Sequence, residues 1–208
     1  MNNLPILCFQ HCDPNINIFC FCLPSKCSVC EIDLNAAQLR IPPFQVPSPF
    51  KDANTTPCCV VIKPTVGDFL LDYKNSADLH VGITDSHGVV FEYDQRGLTC
   101  SPSTIWTQCL PIKIIPQLKS DLKRLWDNTI QLVTNQDCWT SSRYNAEVHN
   151  CYKFVLAFLQ ALNLPSLSRS ALNERNFCND FIVPRTTLAA KYITLYRRLI
   201  EHGIFVQA

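Results

Sequence analysis

Apolar residues alternate with polar residues or cysteines in two runs near the start of the chain, LPILCFQHC and INIFCFC, separated by Asp13-Pro14-Asn15. A period of two marks strands with two distinct faces, and Asp-Pro-Asn supplies turn chemistry, so residues 4–23 are expected to form a β-hairpin. Pro24 to Cys30 reads as a tight connector. Pro42, Pro43, Pro47, Pro49 and Pro57 then mark residues 36–57 as a proline-rich, extended connector, because each proline lacks an N–H and restrains its predecessor.

From residue 58 the pattern predicts strands at Cys58–Ile62, Leu79–Thr84, Val89–Tyr93 and Cys109–Ile115, with Asp85-Ser86-His87-Gly88 turning between the second and third. Helical spacing follows. Leu118, Leu122, Leu125, Trp126, Ile130 and Val133 define one apolar stripe, with Ser120 or Asp121 as candidate caps. Tyr152–Leu164, closed by Pro165, is the strongest helix. Thr187–His202 is the last, with Leu188, Tyr192, Leu195 and Leu199 on one face and Gly203 as its stop. The expected fold is α+β, a small antiparallel sheet packed on helices over residues 58–208, preceded by a cysteine-rich hairpin module over 1–35 and the connector.

Composition narrows the function. With 208 residues, 47% hydrophobic and 17% charged, the chain can bury a real core, and extensive disorder is excluded. A net charge of +1 gives no general attraction to phosphate backbones or anionic membranes, so neither nucleic acid nor a membrane is the expected partner. The start of the chain has no basic n-region and no small-residue cleavage site, and no apolar run reaches the ~18 residues of a membrane span. A cytoplasmic protein is expected, with the nucleus as an alternative. In a reducing compartment an odd total of 13 cysteines points to metal ligands, a nucleophile and buried thiols rather than a disulfide framework.

Two segments carry candidate chemistry. Cys151 falls at the first turn of a predicted helix, where unpaired N–H groups and the helix dipole favour a thiolate. His80 lies on a strand before a hairpin, and a thiol with an imidazole in reach is the pairing nucleophilic catalysis needs. Asn150 or the N–H groups at the helix start would steady an oxyanion. His149 is an alternative base, and no third, orienting residue is assigned. In the head, Cys27-x-x-Cys30 has the spacing of half a zinc site, to be completed by two of His11, Cys12 and Cys20. His11 and Cys12 are neighbours, and strand alternation sends them to opposite faces, which argues against both binding one ion. Glu31 stands where a zinc knuckle often has glycine, which also counts against a metal. The basic residues of the last helix, Arg185, Lys191, Arg197 and Arg198, read as cations snorkelling over aromatics.

His80, Gly82, Ile83, Glu92, Tyr93, Gly97, Tyr144, Asn150, Cys151 and Phe154 together resemble the pattern of the PPPDE thiol peptidases, relatives of permuted papain-like folds. The resemblance covers roughly residues 58–165 and implies Cys151 as nucleophile and His80 as general base. Segments Ser76–Thr84, His149–Tyr152, Val183–Gly203 and His11–Phe50 resemble, over nearly the whole chain, the makorin-2 opposite-strand protein family. The expected function is a non-catalytic binding or adaptor protein with a protein partner, built on a thiol-peptidase-like fold. The alternative is a cysteine hydrolase using Cys151 and His80.

Overall fold

The computed structural model describes residues 4–101, 106–115 and 119–208. The fold is α+β, with two antiparallel sheets, and the chain divides into two compact units. One unit runs from the start of the chain to Pro49 and takes back Ala190–Ala208; the other is Phe50–Ala189.

In the first unit the predicted hairpin forms as β1 (Leu7–Gln10) and β2 (Asn17–Cys20), paired antiparallel with Leu7 opposite Cys20 and Cys8 opposite Phe19. The proline-rich stretch is not only connector: Ile41–Gln45 adds as β3 on the far side of β1. Pro42 and Pro43 are tolerated there because an edge strand has one side with no ladder to support. Ile204–Gln207, beyond the predicted end of the last helix, forms β9 and pairs with β2, giving the order β3-β1-β2-β9. A small apolar cluster of Phe9, Ile18, Cys20, Cys27 and Leu34 lies beneath this sheet.

The second unit holds a sheet of order β7-β6-β5-β4-β8, built from β4 (Val60–Pro64), β5 (Leu79–Thr84), β6 (Val90–Asp94), β7 (Gly97–Ser101) and β8 (Leu110–Ile112). The central strands are buried on both faces, which is why their sequences read as near-continuous apolar runs. Asp85 turns β5 into β6 as expected. Its Oδ1 accepts from the His87 and Val89 N–H groups at 2.8 and 2.9 Å, and Gly88 takes φ +82°.

Helix α1 (Ser120–Thr134) and helix α2 (Cys151–Leu162) pack on each other, with Trp126 edge-on to Phe158 at 4.7 Å between ring centres. Lys119, not Ser120 or Asp121, occupies the N-cap of α1 and offers no side-chain bond; Leu118 lies outside the described residues. A short helix α3 (Glu174–Phe177) passes through a π turn, Cys178–Ile182, into α4 (Val183–His202). The buried positions of α4 are Ala189, Ile193, Tyr196 and Leu199, whereas Leu188 is exposed, so its apolar face is rotated from the predicted one. Gly203 ends α4 at φ +74°, its N–H donating to the Leu199 carbonyl at 2.8 Å. The Arg198 guanidinium lies 4.9 Å over the Phe205 ring, one of the expected cation–aromatic contacts. No helix among the described residues is long and apolar enough to cross a membrane.

Candidate functional site

Strand β5 alternates, so His80, Gly82 and Thr84 share one face. Across the ladder Gly82 is opposite Glu92, and pairing with β6 covers only Gly82–Thr84. Glu92 therefore stands diagonal to His80, within reach of a long side chain. The contact is made: His80 Nε2 and Glu92 Oε2 are 2.8 Å apart, with Glu92 1% exposed and His80 8%. Gly82 lets this face close, since a Cβ there would sit 3.2 Å from the Trp106 ring and 3.1 Å from the Phe91 carbonyl. Trp106 lies beside His80 at 5.7 Å between rings and carries Lys63 Nζ on its face at 4.7 Å.

Cys151 arrives from the other side as the first residue of α2. Asn150 caps that helix in extended conformation, its Oδ1 accepting from the Lys153 N–H at 3.2 Å while its Nδ2 donates to the Ala146 carbonyl at 2.8 Å. Phe154, Val155, Phe158 and Leu162 then follow at helical spacing on the buried face, fixing the helix and its first residue. The Cys151 thiol lies near enough to His80 to act on the charge of its ring, and both residues line one cleft. Nε2 is held by Glu92, so Nδ1 is the ring nitrogen that remains for another partner. Cys151 from α2, His80 from β5 and Glu92 from β6 thus gather in one place.

Burial works against a charged His80 ring, but the Cys151 thiol and the Glu92 carboxylate outweigh it and push His80 up to about 9. Burial likewise works against the Glu92 carboxylate, yet His80 first, then Lys63 and the Trp106 indole, hold it below its ordinary value. Glu92 Oε1 and Trp106 Nε1 are both buried without a well-directed hydrogen bond, so the indole acts on this carboxylate by proximity.

His80 and Cys151 line a polar cleft of about 530 Å³ with Thr65, Asp78, Gln95 and Tyr144. An adjoining cleft of about 400 Å³, which shares Thr65, His80, Gln95 and Tyr144 with the first, is also lined by Lys63, Asp94 and Arg96. His149 does not face either. Its Nε2 meets the Cys138 carbonyl at 3.0 Å and its ring stacks on Trp139 at 5.0 Å, so it organises the loop before α2. Asn150 is likewise engaged at both ends of its amide and positions the helix start.

Glu92 is the buried carboxylate paired with His80, a third member for which the sequence assigned no residue. Its signal was an acid inside the apolar strand VVFEY, at a distance from the Asp85–Gly88 turn that puts it opposite Gly82.

In the first unit, His11, Cys12, Cys27 and Cys30 bring their ligand atoms within 4.8 Å of one another and could hold a metal ion. The objection from strand alternation fails because β1 ends at Gln10, leaving His11 and Cys12 in the loop. Cys20 is not a member: it is 1% exposed on β2, packed with Phe9 and Ile18. Burial works against a Cys27 thiolate, but N–H groups of Val29 and Cys30, with the His11 and Cys30 side chains, bring it down to about 7.

Comparison with known proteins agrees with the resemblance over the whole chain and does not extend to the thiol peptidases. The DUF4796 C-terminal model matches residues 43–199 and the DUF4796 N-terminal model residues 4–34. The human protein named MKRN2 opposite strand protein is 33% identical over 198 residues, covering 95% of this chain and 87% of that protein. No solved structure matches the chain. By family models and by this relative, the chain belongs to the DUF4796 family.

Proposed function

We propose that the second unit is a cysteine hydrolase acting on amide or isopeptide bonds of a protein substrate, with Cys151 as nucleophile, His80 as acid and base, and Glu92 orienting the ring. One observation carries this reading: a buried His80–Glu92 pair lies beside a polar cleft that His80 shares with Cys151, a residue about seventy positions later at the start of a helix. A permuted papain-like domain is the architecture this order of His before Cys suggests, and a reducing, cytoplasmic setting suits a working thiol.

The steps follow from the geometry. The Cys151 sulfur adds to the carbonyl carbon as its proton passes to His80. Collapse of the tetrahedral adduct breaks the C–N bond, the amine leaves with the proton from His80, and a thioester remains. Water, deprotonated by His80, then attacks the thioester, releasing the carboxylic acid and restoring the thiol. Asn150 Oδ1 takes the Lys153 N–H and its carbonyl takes that of Phe154, which leaves the Cys151 and Tyr152 N–H groups for the oxyanion.

The test is labelling with a ubiquitin-like or acyl-type probe bearing a thiol-reactive group. Labelling at Cys151 that disappears in Cys151→Ala and falls sharply in His80→Ala supports the reading. Equal labelling of all 13 thiols, or unchanged labelling in both variants, overturns it and leaves the non-catalytic adaptor.

A further inference from the structure

We propose that His11, Cys12, Cys27 and Cys30 form a closed, four-ligand structural zinc site in the first unit. Around a tetrahedral ion, zinc–sulfur bonds of about 2.3 Å place two thiolates about 3.8 Å apart and a thiolate and imidazole nitrogen about 3.5 Å apart. The Cys30 Sγ and His11 Nδ1 are already 3.3 Å apart, and the widest separation in the set is within 4.8 Å. Closing the tetrahedron therefore requires shifts of an ångström or less in side chains that stand on loops.

The backbone around Cys27 is folded as a metal knuckle. The Glu31 N–H returns to the Cys27 carbonyl at 2.9 Å, the Cys27 N–H goes to the Ile32 carbonyl at 2.9 Å, and the Val29 N–H points at the Cys27 sulfur at 3.4 Å. That last bond places a backbone dipole where it stabilises negative charge on sulfur. Glu31 then adopts φ +60°, the left-handed conformation, costing a non-glycine residue roughly 1–2 kcal/mol. The turn so produced, closed by the two Cys27 backbone bonds, leaves Cys30 Sγ 3.3 Å from His11 Nδ1. Glu31 thus fills the glycine position of a knuckle rather than ruling the knuckle out.

The ligand set decides the ion. Three thiolates and one imidazole are soft to borderline donors that suit zinc, and the set contains no carboxylate or carbonyl of the kind calcium and magnesium need. Four protein ligands also fill a tetrahedron and leave no open position for water or substrate, so the ion's role is structural. It ties the loop after β1 to the loop after β2, above an apolar cluster of few residues, where small modules commonly depend on a metal.

The experiment uses the full-length protein, expressed with zinc supplied and purified under reductant, with metal measured by mass spectrometry. About one zinc per chain is expected, falling roughly tenfold or more in the Cys27→Ser/Cys30→Ser double variant and unchanged in Cys22→Ser, whose thiol is exposed and outside the cluster. Cobalt(II) titrated into the metal-free wild type is expected to give thiolate charge-transfer and tetrahedral d–d bands that saturate at one equivalent and disappear when zinc is added. This readout stands even if the double variant does not fold. Wild type that neither retains zinc nor gives the cobalt spectrum overturns the proposal, as does zinc retained in the double variant or a disulfide joining Cys27 and Cys30 in the reduced preparation.

Discussion

Glu92 reaches His80 diagonally across the β5–β6 ladder, its Oε2 2.8 Å from Nε2, because Gly82 rather than His80 is its direct partner. A carboxylate so placed restrains the imidazole while leaving its Nδ1 unbonded to the acid. Glu92→Gln keeps the size and one acceptor but removes the charge. Probe labelling of Cys151 is expected to slow by up to roughly 100-fold, the low end of what general acid–base catalysis contributes. The ring, no longer held up by the carboxylate, should also titrate lower, so the rate–pH profile shifts to lower pH. A slower rate with an unmoved profile would show that Glu92 serves only the packing.

The same pair makes stability depend on pH, and the two partners act at opposite ends. His80 is raised from 6.5 to about 9, so its contribution is complete below 6.5 and is lost as the pH rises through about 9. Glu92 is lowered from 4.5, so its contribution is complete above 4.5 and is lost as the pH falls through its depressed value. Both are present together between these ordinary values. Chemical denaturation of wild type should lose up to ~3 kcal/mol between pH 6 and pH 10 through this residue, relative to a His80→Phe variant measured in parallel. Parallel curves for the two proteins would show that the ring's charge is not coupled to folding.

Much of this site was legible in the chain. Cys151 and His80 are visible because one opens a strongly apolar helix and the other interrupts an apolar strand. The partner Glu92 was hidden by register: nothing local says that Gly82, not His80, faces it until the Asp85–Gly88 turn is counted residue by residue. Strand β9 was hidden for another reason, since Ile204–Gln207 has no partner within its own neighbourhood and pairs with β2 nearly two hundred residues earlier. The clustering of His11 with Cys12 depended on where β1 stops. Adjacent residues diverge on a strand, but two residues past its end they are free to converge.

Gly82 leaves little room for a side chain. Its alanine variant would put a Cβ 3.1 Å from both the Phe91 carbonyl and Val90 Cγ1 and 3.2 Å from the Trp106 ring, two of them parts of a central, buried sheet. A loss of ~1–3 kcal/mol follows from overpacking of this kind. The displaced neighbour is Trp106, which lies against His80, so labelling of Cys151 should fall as well. Unchanged thermal unfolding in Gly82→Ala would mean that the indole has room to move.

Asn150 and Cys151 separate positioning from chemistry at a single helix end. Asn150→Ala removes the bond to the Lys153 N–H and the one to the Ala146 carbonyl, at a cost of about 1 kcal/mol for a lost N-cap. Because the proposed nucleophile is retained, labelling should be reduced, not abolished. Asn150→Asp restores an acceptor for Lys153 and should recover most of the stability, but its carboxylate places a negative charge one residue from the sulfur and cannot donate to Ala146. Its labelling should therefore stay below wild type while its melting temperature returns toward it. If instead Asn150→Ala labels as weakly as Cys151→Ala in protein that is fully folded by circular dichroism, the amide takes part in the chemistry itself, and its two bonds in this structure describe a resting arrangement that the substrate displaces.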